Sequence, residues 1–356
     1  MPFLHRVPFF MAVWTLAVIA LSAGLAQGGA VPTTQAKQAA QPQKTASADE
    51  VKALTEKAGK GDAEAQLSLG LLYAMGVGVP QDYARAAGWY GKAAEQGNKG
   101  AQFVLGDACF FGQGVPVDLA KAAAWYRKAG DQGHRIAQFD LGTMYQSGNG
   151  VPQDYAQAAE WYRKAAEQGH GLAQFKLAGM YYRGDGVPQD YPQAVAWFRK
   201  AADQGVKEAQ YNLGMAYYQG SGVPKDYQQA MAWYGKAAEH DYAPAQFNLG
   251  VMYATALGVP QDLGQAATWY RKAAEQGYAL AQNNLGLACA NGQGVPRDFV
   301  EAYKWVSLAA ARSSGTQQKA FTTTLGNLAN RMTPAQVAEG QLRADEWMAA
   351  FEKAKK

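Results

Sequence analysis

Shifted by 36 residues, the chain matches itself. Gln recurs at 66, 102, 138, 174, 210, 246 and 282, and Leu at 69, 105, 141, 177, 213, 249 and 285. Asp recurs at 82, 118, 154, 190, 226, 262 and 298, two residues after a Val-Pro pair in every copy. One tryptophan follows in each: Trp89, Trp125, Trp161, Trp197, Trp233, Trp269 and Trp305. No insertion or deletion interrupts the seven copies. A fixed period of this length belongs to chains that stack one supersecondary unit on the next, because a single unit cannot bury its own apolar face.

The local pattern decides which unit is stacked. In the copy from Gly61 to Gln96, Ala65, Gln66, Leu69, Gly70 and Tyr73 share one helical stripe. Gly76 and Gly78 supply the left-handed backbone that ends a helix. Val79-Pro80 is extended, since Pro disfavours helix at the residue before it. Asp82 is an N-cap for a second helix, striped by Ala86, Trp89, Tyr90, Ala93 and Ala94 and closed by Gly97. The alternation of a strand appears nowhere. The sequence therefore predicts an all-α solenoid of seven 36-residue helix-turn-helix repeats over residues 61–312, with helical caps.

The departures refine this. The Gly70 position is Ala178 in the fourth copy, which predicts close helix approach rather than a need for positive φ. Ala256 replaces the first loop glycine in the sixth copy. Cys109 and Cys289 stand where the other five copies have Tyr, and are expected to be small buried substitutes without a disulfide. The seven tryptophans predict a continuous ladder between neighbouring repeats, each burying roughly 150–250 Å².

The flanks read differently. Residues 1–26 resemble a secretory signal, with Arg6, an apolar run from Phe9 to Leu21, and small Ala23, Gly24 and Ala26; an uncleaved anchor is the alternative. Residues 27–46 are rich in Gln, Ala, Thr, Pro and Lys and read as a flexible linker. Ser47 and Glu50 form a capping-box pattern that opens an N-terminal capping helix over 47–60, with Leu54 at the aromatic position of a second helix. Residues 313–356 read as a C-terminal helical cap. Residues 316–331 resemble a first helix, and Thr333-Pro334-Ala335-Gln336 starts a last one, with Val337, Leu342, Trp347 and Phe351 covering the open face. No transmembrane segment is expected in the mature chain, whose expected place is the periplasm or the outside of the cell.

Composition narrows the chemistry. Two Cys in 356 residues do not make a disulfide scaffold, and four scattered His do not make a metal site. A net charge of +4, evenly spread, is not that of a nucleic-acid binder. Lys92, Lys128, Lys164, Lys200, Lys236 and Lys272 lie near second-helix C-termini, where they offset the helix dipole. His134 and His170 share a position after the turn glycine and are expected to be exposed. No cofactor is expected.

The pattern Ala-Gln-x-x-Leu-Gly-x-x-Tyr, Gly-x-Gly-Val-Pro-x-Asp, Ala-x-x-Trp-Tyr-x-Lys-Ala-Ala-x-x-Gly resembles the Sel-one-like repeat (SLR) family, a relative of the tetratricopeptide repeat. Membership implies a right-handed α/α superhelix whose concave face, lined by first helices, binds proteins or peptides. It also implies adaptor roles, in bacteria at the cell envelope. A link of some bacterial members to β-lactam chemistry calls for Ser-x-x-Lys, and none of the eight Ser has Lys three residues on.

By that analogy the groove holds a row of aromatics, Phe103, Phe139, Phe175, Tyr211 and Phe247, beside Lys176, Asn212 and Asn248. One or two turns on come Phe110, Tyr182 and Tyr218, with Arg183 and Gln219. The row of aromatics is equally open to a packing role. The expected function is a non-enzymatic envelope scaffold for a protein or peptide partner. A cell-wall-associated enzyme or peptidoglycan binder and a secreted effector engaging host proteins are the alternatives.

Overall fold

Asp and Gly set where the helices begin and end. Asp82, Asp118, Asp154, Asp190, Asp226, Asp262 and Asp298 each accept a hydrogen bond on Oδ1 from the backbone N–H three residues on, at 2.9–3.0 Å. Gly76, Gly112, Gly148, Gly184, Gly220 and Gly292 end the first helices in left-handed backbone. The second loop glycine is confined further. A Cβ on Gly114 would lie 2.0 Å from the Tyr83 carbonyl oxygen of the preceding pair, so the loop seats only without a side chain.

The computed structural model describes residues 46–354. The expected signal segment (1–26), the linker (27–46) apart from Ala46, and the last two residues of the C-terminal cap lie outside them. The described residues form seventeen helices and no strand, in two compact units. The first unit, up to Lys164, begins with α1 (Ala48–Gly59) and the pairs α2 (Ala63–Met75) with α3 (Tyr83–Glu95) and α4 (Lys99–Phe111) with α5 (Leu119–Asp131). It ends in α6 (Arg135–Ser147) and α7 (Tyr155–Glu167), whose last residues belong to the second unit. The second unit continues with α8 (Gly171–Arg183), α9 (Tyr191–Asp203), α10 (Lys207–Gln219), α11 (Tyr227–Glu239), α12 (Ala243–Thr255) and α13 (Leu263–Glu275). It closes with α14 (Ala279–Asn291), α15 (Phe299–Ala311), α16 (Gly315–Ala329) and α17 (Pro334–Ala354). The chain is an all-α solenoid of seven repeats.

Inside a pair the helices meet ring to backbone. A Cβ on Gly70 would lie 2.5 Å from Tyr90 Cε1, and one on Gly106 2.7 Å from Tyr126 Cδ1. In the first six pairs a ring at the Tyr90 position is the buried centre, and Tyr126, Tyr162 and Tyr234 are at most 1% exposed; the seventh pair has Val306 there. In the fourth pair Ala178 faces Phe198 instead, within one buried cluster.

A glutamine clasp joins successive pairs. Gln66 is buried on α2, donates from Nε2 to the Ala58 carbonyl of α1 at 3.0 Å, and accepts on Oε1 from Gln96 Nε2, beyond α3, at 2.8 Å. Gln102, Gln174 and Gln246 repeat both bonds.

The tryptophans correct the expected ladder. Trp161, Trp233 and Trp305 are buried, but Trp89, Trp125, Trp197 and Trp269 are half-buried. Within neither unit are two repeat tryptophans in ring contact. Each residue lies about 100° round its helix from the central Tyr, so its indole crosses to the preceding pair. Trp125 packs on the cluster around Ala94 and Leu105, and Trp269 on that around Tyr234 and Leu249. In the first six repeats a ring face is covered by the lysine three residues on, with Nζ 4.1 Å from the centroid at Lys92–Trp89 and 3.8 Å at Lys236–Trp233.

The histidines are corrected too. His134 and His170 are half-buried N-caps of α6 and α8, and each Nδ1 accepts from a backbone N–H, at 3.2 and 3.1 Å. At the C-terminus, Thr333 and Gln336 form a reciprocal cap, and Trp347 meets Trp305 edge-on at 5.9 Å. Leu342 does not cover the last face: it is 53% exposed, and the buried contacts of α17 come from Gly340 and Ala344, whose small size lets the helix approach Tyr303. Cys109 and Cys289 are buried and free.

Candidate binding face

The first helices of the pairs carry the candidate residues. The row of aromatics packs first and offers surface second. Phe103 is only 4% exposed, stacked on His134 at 4.4 Å, and has no area left for a partner. Phe139, Phe175, Tyr211 and Phe247 are half-buried, each leaning on the ring behind it: Tyr162 at 5.7 Å, Phe198 at 6.0 Å, Tyr234 at 5.6 Å and Tyr270 at 5.9 Å.

The polar neighbours divide into engaged and available groups. Asn248 lies near the hydroxyls of Tyr211 and Tyr234 and favours their charged forms. Asn212 donates to the Glu208 carbonyl at 2.9 Å. That bond engages the Asn212 amide within its own helix, and burial pushes the Tyr211 hydroxyl pKa up. Lys176 is half-buried. Its pKa is lowered by burial and then by the Arg183 charge, while Glu208 acts the other way.

At the helix ends the rings stand further out. Phe110 is half-buried against Phe111, which is 48% exposed. In the second unit, Tyr182 lies edge-on to Tyr191 at 5.1 Å, and Tyr218 edge-on to Tyr227 at 5.3 Å. Tyr182 Oη donates to Gln219 Oε1 at 3.2 Å, which joins the ends of α8 and α10. Arg183 is exposed and pairs with Asp185 through Nε at 2.6 Å. The structure thus brings Lys176, Tyr182 and Arg183 together with Asn212, Tyr218 and Gln219 on neighbouring first helices. Phe103, Phe110 and Phe139 belong to the other unit.

Sequence reasoning missed Gly179, Phe198, Glu208 and Asp185. Gly179 and Phe198 had a signal: each departs from the residue type of the neighbouring copies. Among the described residues no three His, Cys, Asp or Glu side chains gather as a metal site, and no helix is long and apolar enough to cross a membrane.

The Sel1 repeat family model matches residues 63–98, 100–134, 135–170, 171–206, 207–242, 243–278 and 279–314. The chain belongs to the Sel1 repeat family. Each matched segment after the first begins near a first helix and runs to the next pair, so the family unit is the helix pair described above. This Sel1 repeat chain is similar to a Sel1 repeat protein from Oxalobacter formigenes, at 39% identity and a TM-score of 0.63, over 78% of this chain and 80% of that one. It is also similar to a protective antigen present in uropathogenic Escherichia coli strains that displays an SLR fold, at 34% identity and a TM-score of 0.44, over 85% and 80% of the two chains. No curated protein matches. Sel1 repeat proteins generally mediate protein–protein interactions, and their scaffold is typically non-catalytic.

Proposed function

We propose that this Sel1 repeat protein is a non-enzymatic scaffold of the bacterial cell envelope, periplasmic or secreted, that holds a protein or peptide partner on its first-helix face. The observation that carries the reading is the set Lys176, Tyr182, Arg183, Tyr218 and Gln219. These are partly exposed aromatic, amide and cationic side chains on rigid neighbouring helices. Aromatic rings with Arg, held on fixed backbone, are the residue types that dominate protein interfaces. The expected signal segment at 1–26 supports the compartment.

The test is capture of partners from the producing cell by crosslinking, followed by mass spectrometry. The Tyr182→Ala, Tyr218→Ala variant removes two half-buried rings that pack on the edges of the buried cores. With helicity unchanged by circular dichroism, loss of the captured partners supports the reading, and recovery of the same partners in the same amount overturns it.

A further inference from the structure

The sixth repeat gives up a ring that every other copy keeps. Two positions are concerned, one near the end of the first helix and one at the start of the second. In the fourth and fifth copies they hold Tyr182 with Tyr191 and Tyr218 with Tyr227, edge-on at 5.1 and 5.3 Å. The first, second, third and seventh copies keep one ring there, as Tyr83, Phe110, Tyr155 and Phe299. The sixth has Ala254 on α12 and Leu263 on α13, and no ring at either position. The same helix pair seats both rings in the two preceding copies, so packing does not demand small residues here.

A cavity of about 210 Å³ takes the place of the rings, lined by Ala254 and Leu263 themselves. Tyr270 of α13, Asn284 and Leu287 of α14 and Gln293 of the next loop also line it. Tyr270 is buried, Asn284 half-buried and Leu287 36% exposed, so the wall runs from the core to the surface. Apart from Tyr270, Asn284 and Gln293, every lining side chain is Ala or Leu. An apolar cavity of roughly 150 Å³ is enough to hold benzene, so this is room for one ring with a small substituent. One amide beside the cavity has also lost its usual partner. Gln81, Gln153 and Gln189 each donate from Nε2 to the carbonyl at the Ala254 position and to the tyrosine hydroxyl at the Leu263 position, the latter at 2.9–3.1 Å. Gln261 keeps the carbonyl bond at 2.8 Å, but Leu263 offers it no hydroxyl.

We propose that this cavity binds one phenol ring, carried by a free small molecule or by a tyrosine side chain. The proposal does not rest on the partner reading above. Burial of the ring against the Ala and Leu walls drives entry. The hydroxyl then finds an amide, as the Tyr191 hydroxyl finds Gln189, and this bond sets the preference over a plain benzene ring. A charged substituent on the ring is disfavoured, because no ion-pairing side chain lines the cavity to receive it.

The test uses the full chain and titrations read by saturation-transfer NMR, which detects weak ligands. The free probes are p-cresol and toluene. The peptide probes are an amidated glycine pentapeptide with a central tyrosine and the same peptide with a central alanine. Binding of p-cresol alone assigns a free phenol. Binding of the tyrosine peptide in excess of the alanine peptide assigns a side chain, and either result supports the proposal. p-Cresol is expected to bind a few-fold more tightly than toluene, the worth of one neutral hydrogen bond. Ala254→Tyr puts back a ring that the fourth and fifth copies carry and is expected to abolish the signal. Ala254→Tyr with Leu263→Tyr restores the whole pair and is expected to do the same.

Absence of binding by both p-cresol and the tyrosine peptide overturns the proposal. So does toluene that binds as tightly as p-cresol. Undiminished binding in the doubly filled variant, with helicity unchanged by circular dichroism, overturns it as well, because the ring then sits elsewhere.

Discussion

Gln210 Oε1 is buried without a hydrogen-bond partner because His240 stands where the clasp places a glutamine. Gln210 still donates from Nε2 to the Ala202 carbonyl at 3.2 Å, so half of the clasp survives. Gln282 Oε1 is likewise unpartnered where Arg312 replaces the glutamine. Restoring the missing amide with His240→Gln is expected to stabilise the fold by about 1 kcal/mol, the usual net worth of one buried hydrogen bond. Chemical denaturation measures it, and an unchanged or lower midpoint contradicts the clasp.

His134 caps α6 only while Nδ1 is unprotonated. Burial, then the charges of Lys99 and Arg135, lower its pKa from 6.5 to about 4. Between these values the unfolded chain binds the proton and the folded chain does not, so stability falls as pH drops from 6.5 toward 4. The contribution is fully present above 6.5. His134→Asn supplies the cap that Asn98 gives to α4 and is expected to flatten this part of the profile. Denaturation midpoints across the window test it, and an unchanged slope in the variant contradicts it.

Gly106 admits the ring of Tyr126. Its Cβ would stand 2.7 Å from two ring carbons, and both helices are fixed by their neighbours. Gly106→Ala is expected to cost about 1–3 kcal/mol, as overpacking does in a dense core. Thermal unfolding reads the loss, and a neutral result removes the close approach from the account.

Ala256 holds a left-handed backbone, φ 57°, at the end of α12, where six other copies use glycine. That conformation costs an L-residue roughly 1–2 kcal/mol. Ala256→Gly is therefore expected to raise stability by about 1 kcal/mol, net of glycine's greater freedom in the unfolded chain. A fall in the denaturation midpoint contradicts the prediction.

Features with short reach were legible in the sequence. The Asp82-type caps, the loop glycines and the Ser47–Glu50 box act within three residues, so residue type and spacing suffice. The Gln66 clasp was not legible. Its partners lie eight residues back and thirty ahead, and a glutamine is ordinarily a surface residue. The tryptophans were placed in the right repeats with the wrong neighbours, because two adjacent aromatics leave open which one faces the pair and which crosses the seam. On the binding face, repeat register located Lys176, Tyr182 and Tyr218. It did not reveal that Asn248 lies over the buried hydroxyl of Tyr234, since that depends on the depth of that ring.

The central claim, that the first-helix face of the second unit receives the partner, is tested most directly by site-specific photo-crosslinking in the producing cell. A photoreactive amino acid at Tyr218 or Gln219 is compared with one at exposed Ala232 on α11. The account predicts partner adducts from Tyr218 and Gln219 and none from Ala232. Equal adducts from Ala232, or none from either first-helix position, contradict it.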